Sequence, residues 1–446
     1  MAQTTLIKNA LIVNEGCVRK GSLLINEDKI KQIIYDQTST LPLADEIIDA
    51  EGCYLLPGVI DCHVHFREPG LTAKADIEHE SKAAAAGGVT SIFDMPNTIP
   101  QTTTIEAYEE KNKLFSEHCR VNYSVFFGAT NSNINEITKL NPQTTCGIKL
   151  FMGSSTGNML VDAEDSLNQL FQSIKLPIMT HCEDSAVISA NTKDAKEKWG
   201  DDPSIEHHPD IRSSEACYQS TLLAIKLAKQ HNASLHVAHL TTKEEISLID
   251  PENKNITAEV CIPHLIFTSA DYLSLGSLIK CNPAVKSEHD RDALRQALTD
   301  GRIHTIATDH APHTLAEKQG GAIKAVSGMP MIQFSLIAIL SLVDKKILSI
   351  EKAVELMCHN PATRFNIENR GFLRVGYKAD MVLVRPNSPW TLTKECIESK
   401  CKWSPLEGRT FQWKVEKTYC NGHVVYKNNT IVNDAPCGER ILFNRS

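Results

Sequence analysis

His63 and His65 stand one residue apart at the end of an apolar run, in Leu56-Pro57-Gly58-Val59-Ile60-Asp61-Cys62-His63-Val64-His65-Phe66-Arg67-Glu68-Pro69-Gly70. In an extended strand the side chains at i and i+2 leave on the same face, about 7 Å apart at Cα. Two imidazoles placed this way can converge on a metal ion or a metal pair, because neutral imidazole is the commonest metal-binding side chain. The pair alone reads equally well as ordinary half-buried strand residues. Further candidates stand at the ends of later apolar runs: Asn97 after Asp94-Met95-Pro96, Lys149 in Gly147–Phe151, His181 in Met179–Asp184, His239 in Val237–Leu240 and Asp309 in Ala307–His313. Singly, each is a polar strand end. Recurring in the same position of successive strands, they point to one metal centre.

Lys149 has two readings. A lysine inside an apolar strand pairs with a carboxylate or snorkels to water, since burying its charge alone costs several kcal/mol. Beside four histidines, a neutral amine that takes up CO₂ becomes a carbamate, the bridging anion that two repelling cations need. The histidines favour the carbamate, and desolvation and nearby cations both depress the lysine pKa from about 10.4 as that chemistry requires. Arg67 lies two residues past His65 on the same strand face, and its planar fork suits a carboxylate. A structural salt bridge with Glu68 or another acid is the alternative.

The elements that must position these groups are legible in the texture of the chain. Apolar strand candidates fall at Gly58–Phe66, Val89–Met95, Val121–Phe127, Gly147–Met152, Leu176–His181, Leu235–Leu240, Ile256–Ile262 and Ile303–Thr308. Helical stretches separate them, such as Ile105–Cys119, Ala163–Lys175 and Ser214–His231, and Ala83–Ala86 is closed by Gly87-Gly88. About eight strand–helix units fit a closed (β/α)₈ barrel, whose chemistry sits at the C-terminal strand ends. No Gly-x-Gly-x-x-Gly opens a helix, which counts against a dinucleotide fold. Residues 1–55 alternate in hairpin fashion with turns at Asn14-Glu15-Gly16 and Asn26-Glu27-Asp28. Strand texture returns at Ala379–Val384 and His423–Tyr426. The expected division is therefore residues 56–371 for the α/β barrel, with 1–55 and 372–446 together forming a small β-sandwich domain.

Length and composition agree with this. The 446 residues suffice for one large domain and a smaller one, with 42% hydrophobic and 22% charged residues. A net charge of −8 argues against a nucleic-acid partner. No apolar run reaches the ~20 residues of a membrane span. Met1–Lys8 lacks a signal-peptide core, so a cytoplasmic location is expected. The 14 cysteines form no Cys-x-x-Cys pair and read as reduced, buried bystanders.

These pieces, with Asn282-Pro283-Ala284-Val285-Lys286, Asn360-Pro361-Ala362 and Gly376-Tyr377-Lys378-Ala379-Asp380, resemble the dihydroorotases of the longer bacterial class in the amidohydrolase superfamily, almost end to end. The most specific matches are His63–Gly70, Asp94–Thr98 and Asp309–His313. The resemblance implies two Zn²⁺ per chain, one held by His63 and His65 and the other by His181 and His239, bridged by carboxylated Lys149 and a hydroxide. It makes Asp309 both ligand and general base, and gives substrate binding to Arg67, Asn97, His313 and Asn282. Some relatives carry an aspartate as the bridging ligand where this chain offers Lys149. The implied reaction interconverts N-carbamoyl-L-aspartate and L-dihydroorotate in pyrimidine biosynthesis. A homodimer or higher homo-oligomer is expected, and aspartate transcarbamoylase is a candidate partner. Allantoinase and hydantoinase/dihydropyrimidinase share the metal set but need no carboxylate grip, so Arg67 disfavours them. A non-catalytic scaffold would show gaps in the ligand set, and a metallophosphatase-like enzyme would want more cationic anchors at the metals. Two segments lie outside this scheme: His207-His208-Pro209, expected at the surface, and Leu315–Gly321, expected as a mobile element near the substrate.

Overall fold

In a computed structural model, residues 3–36, 40–153, 159–432 and 438–445 are described. All eight expected barrel strands are present: Val59–Val64, Val89–Asp94, Asn122–Val125 (continued by Phe127–Gly128), Ile148–Phe151, Ile178–His181, Leu235–Val237, Ile256–Cys261 and Thr305–Ala307. Each is buried along its whole length, which is why the sequence shows unbroken apolar runs in place of strict alternation.

The strands pair in parallel as two arcs, the first three strands in one and the remainder in the other. At one seam the third strand passes between arcs through Phe126, whose N–H donates to the Asp94 carbonyl at 2.9 Å. At the other, Val64 and His310 form a parallel bridge, His65 N–H donates to the His310 carbonyl at 2.8 Å, and the Thr308 hydroxyl donates to Asp61 at 2.6 Å. The last strand thus meets the first, and both lay their C-terminal ends on one rim.

The helices start and stop where local chemistry dictates. Ser213 caps Ser214–His231 by accepting from Ala216 N–H, and the helix ends at Asn232 in the left-handed region, φ 50°. Helix Ile77–Ala86 is capped by Asp76 and ends at Gly87-Gly88. Gly88 has φ 80°, and a Cβ there would lie 2.8 Å from Val382 Cγ2. This turn therefore needs glycine both for its conformation and for close approach to the neighbouring sheet.

That sheet has nine strands drawn from both ends of the chain. Both expected hairpin turns form, joining Thr4–Asn14, Cys17–Asn26 and Lys29–Ile34. Tyr54–Pro57 pairs antiparallel with Met381–Arg385, Leu56 opposite Val382, which ties the two termini together. Ile7, Leu23, Leu55, Leu383 and Tyr419 share its core. Residues 438–445 return to the barrel, where Ile441 N–H donates to the Tyr123 carbonyl and Phe443 packs edge-on against Phe93. Among the described residues no helix is long and apolar enough to cross a membrane. The described cysteines are free thiols, and ten of the thirteen are buried.

Candidate metal centre and its cavity

The first barrel strand delivers His63, and His65 follows at its end with its ring centroid 5.5 Å from that of His63. Both rings turn Nε2 toward Asp309 Oδ1, at 3.4 and 3.1 Å. His181 ends the fifth strand, and His239 lies two residues past the sixth. His181 Nδ1 faces His239 Nε2 at 2.9 Å, and the His239 ring lies 5.4 Å from that of His63. Four imidazoles and one carboxylate thus form a continuous cluster.

The outward-facing ring nitrogens explain the orientation of the inward ones. His63 Nδ1 lies 2.8 Å from Glu259 Oε1, His65 Nδ1 2.7 Å from Asn97 Oδ1, and His181 Nε2 2.9 Å from Glu183 Oε2. An oxygen acceptor there requires N–H on that nitrogen, so the other nitrogen of each neutral ring keeps its lone pair for the centre. Burial lowers the His65 pKa to about 4, against the pull of Asp309, and also lowers those of His181 and His239. Asp309 goes the other way. Burial opposes its ionisation, yet His63, His65 and Lys149 hold its carboxyl down at about 2.

Lys149 on the fourth strand is buried, and its Nζ has no hydrogen-bond partner among the described residues. Burial lowers its pKa to about 8. No carboxylate stands within ion-pairing distance of Nζ among the described residues, and the buried side chain does not snorkel to water. Converging imidazole lone pairs, an ionised carboxylate and an orphaned buried amine make a donor set that fits divalent metal.

Three residues around the centre, Arg67, His239 and Asp309, have φ of 69°, 35° and 48°. Side chains rarely tolerate this region, at a cost of order 1–3 kcal/mol each. These three, of the fifteen non-glycine residues with positive φ among the described residues, stand at one rim, where the surrounding barrel holds them.

A cavity of about 870 Å³ opens over the cluster, and all ten residues singled out in the sequence line it. Arg67 is buried, with Nε donating to the Pro312 carbonyl at 3.2 Å and Nη2 2.9 Å from His313 Nε2. Lys74 approaches the other nitrogen of His313 at 3.2 Å and pairs with Glu317 at 2.7 Å. Asn282 accepts from the Ser327 hydroxyl at 3.0 Å. Besides histidines, the ionisable lining comprises the basic side chains Arg67, Lys74, Lys149, Arg212, Lys280 and Lys324 and one acid, Asp309; Lys74 pairs with Glu317 and Arg212 with Glu183.

Two expectations change. His207 is partly exposed, stacking on Trp199 with ring centroids 3.6 Å apart, but His208 is buried, reaches the Cys281 carbonyl at 2.9 Å and lines the cavity. Neighbouring side chains leave the backbone in different directions, so a polar histidine pair can still drive one ring inward. The polar stretch Leu315–Gly321 is stitched down by Lys318, whose Nζ donates to the Lys280, Val326 and Gly328 carbonyls, and by Asp202, which accepts from Gly321 N–H. The residues just after it, 322–328, line the cavity.

Sequence reasoning missed the buried acids behind the site. Glu259, Glu183 and Asp94 are fully buried. Asp94 accepts from Phe66 N–H at 2.7 Å and pairs with Lys111 at 2.5 Å, fixing the turn after His65. A carboxylate inside an otherwise apolar run, as in Ile256–Cys261, was the available signal.

The model of the amidohydrolase family matches residues 54–425, and the chain belongs to that family of metal-dependent enzymes. The chain is 32% identical over 439 residues to the dihydroorotase of Methanosarcina acetivorans, covering 95% of this chain and 92% of that one. It is 30% identical over 438 residues to the allantoinase of Bacillus velezensis, covering 96% and 95%. Among solved structures, the L-hydantoinase of Arthrobacter aurescens superposes with a TM-score of 0.93 at 28% identity, covering 99% of this chain and 100% of that one.

Proposed function

We propose that this cyclic amidohydrolase is a dihydroorotase, interconverting N-carbamoyl-L-aspartate and L-dihydroorotate. The observation that carries this reading is the cationic cavity with Arg67 beside the histidine cluster. A neutral ring such as allantoin or hydantoin has no use for that charge, whereas dihydroorotate carries a carboxylate and the open form carries two.

In this reading His63, His65, His181, His239, Lys149 and Asp309 hold two zinc ions. When bound, divalent metal supplies activation of water at neutral pH and polarisation of the amide carbonyl. Asp309 takes the proton of the attacking water and delivers it to the departing ring nitrogen, and ring closure reverses the path. Its place between His63 and His65 suits that shuttle. Arg67 grips the ring carboxylate, with His313, Asn97 and Asn282 as neutral partners around it. Lys149 joins as a carbamate: the amine lone pair forms an N–C bond to CO₂, a C=O pair moves onto oxygen, and the N–H proton leaves to solvent. The orphaned, buried Nζ supports that assignment. The expected form is a cytoplasmic homo-oligomer.

A neutral cyclic ureide is the second reading, favoured by the allantoinase and L-hydantoinase likenesses. Arg67→Met separates the two. Losing a charged partner to a carboxylate costs about 3 kcal/mol, so kcat/KM for dihydroorotate should fall about a hundredfold with metal content intact. An unchanged rate on dihydroorotate would favour the neutral-ring reading, and parallel loss of metal would make Arg67 structural.

A further inference from the structure

We propose that Glu259 is a positioning residue that couples the two halves of the histidine cluster through one carboxylate oxygen. Its Oε1 accepts from His63 Nδ1–H at 2.8 Å and from the His239 backbone N–H at 3.3 Å. His63 belongs to the half that meets Asp309, and His239 to the half that meets His181. Glu259 therefore acts on the side chain of one half and the main chain of the other.

Each contact has a separate consequence. At His63, an acceptor on Nδ1 fixes the tautomer and turns the Nε2 lone pair toward the centre. At His239, φ of 35° is a conformation that a side-chain-bearing residue rarely adopts. The Glu259 carboxylate on its N–H, with the Glu259 main-chain carbonyl accepting from Leu240 N–H at 2.8 Å, brackets that residue from both sides. The carboxylate is enclosed, though Oε2 makes no hydrogen bond among the described residues. Its strand is fully buried, the Cys261 thiol donates to Oε1 at 3.5 Å, and His236 Nε2 stands 3.8 Å from Oε2. His63, Glu259 and Cys261 could themselves be taken for a ligand set. Oε1 is committed to His63 Nδ1–H, and Oε2 faces His236, so we place Glu259 behind the ligands.

A residue serving one metal position should, when changed, weaken one equivalent of metal. A residue coupling both should weaken both together. This rests on reading the cluster as a two-metal centre and is independent of the substrate. The test uses chelator-stripped full-length protein titrated with zinc alone, with affinity read by competition with a chromophoric chelator and stoichiometry by elemental analysis. Outer-shell changes of this kind cost about 10–100-fold in metal affinity. Glu259→Gln, close in shape, should show that loss at both equivalents, and Glu259→Asp, which retains the charge on a shorter arm, should recover part of it. His181→Ala should lose one equivalent only. The melting temperature of each stripped variant separates misfolding from weak binding, since a merely structural role lowers that temperature and leaves zinc affinity of the folded protein unmoved. Wild-type affinity at either equivalent in Glu259→Gln overturns the coupling. A wild-type protein that binds no zinc overturns the two-metal reading and the coupling with it.

Discussion

At the scale of single residues, Lys149 carries the sharpest chemical demand. An amine sealed in a strand without a hydrogen-bond partner is costly unless another group completes it. If that group is a carbamate, Lys149→Ala removes a bridging anion, and metal binding and activity should nearly vanish. Added acetate or propionate should partly restore both by entering the vacated space. Lys149→Arg should resist rescue, because its permanently charged guanidinium fills that space and repels cations. Full metal and activity in Lys149→Ala without added acid would make the lysine a bystander. The sequence exposed the inward-facing groups because a lone polar residue at the end of an apolar run is conspicuous. It hid Glu259 and Glu183, since which oxygen stands behind which imidazole depends on neighbouring strands far apart in the chain. Their distances to His63 and His181 emerge only in the folded barrel.

At the scale of elements, all eight strands were legible because parallel strands buried on both faces must be short apolar runs. Their ends were less so, for a physical reason. The sixth strand was expected to run to Leu240 but leaves the sheet after Val237, since His239 adopts a left-handed backbone that no strand accommodates. The eighth stops at Ala307 ahead of Asp309 for the same reason. Functional turns thus overrode local strand propensity. The helix Ile105–His118 has a further task, bringing Lys111 to Asp94 in a pair with no side-chain exposure. Breaking a buried pair by removing one partner costs about 3–5 kcal/mol, because the remaining charge is stranded. Lys111→Met should therefore lower the melting temperature and, by loosening the Phe66 turn, raise KM. Lys111→Met combined with Asp94→Leu should lose less stability than the sum of the single changes. Additive losses in that double-mutant cycle would show that the pair is not coupled.

At the scale of the whole molecule, the chain's two ends share one sheet, and the barrel gathers residues from His63 to His313 onto one rim. Two metal positions on such a rim predict about two zinc ions per chain in protein purified without chelator. Removing them should abolish turnover, and zinc alone should restore it. An active preparation containing almost no metal would sink the mechanism. The cavity charge is also a property of the assembled molecule, since Arg67, Lys74, Arg212, Lys280 and Lys324 come from segments scattered along the chain. It bears on the central claim, that this amidohydrolase acts on an anionic ring. The most direct measurement is turnover of L-dihydroorotate, allantoin, hydantoin and dihydrouracil by the same zinc-replete protein, each at matched concentrations. Dihydroorotate should be hydrolysed, N-carbamoyl-L-aspartate should be cyclised in the reverse assay, and the neutral rings should react at least about a hundredfold more slowly, the margin one carboxylate–guanidinium contact supports. Faster turnover of any neutral ring than of dihydroorotate would contradict the account.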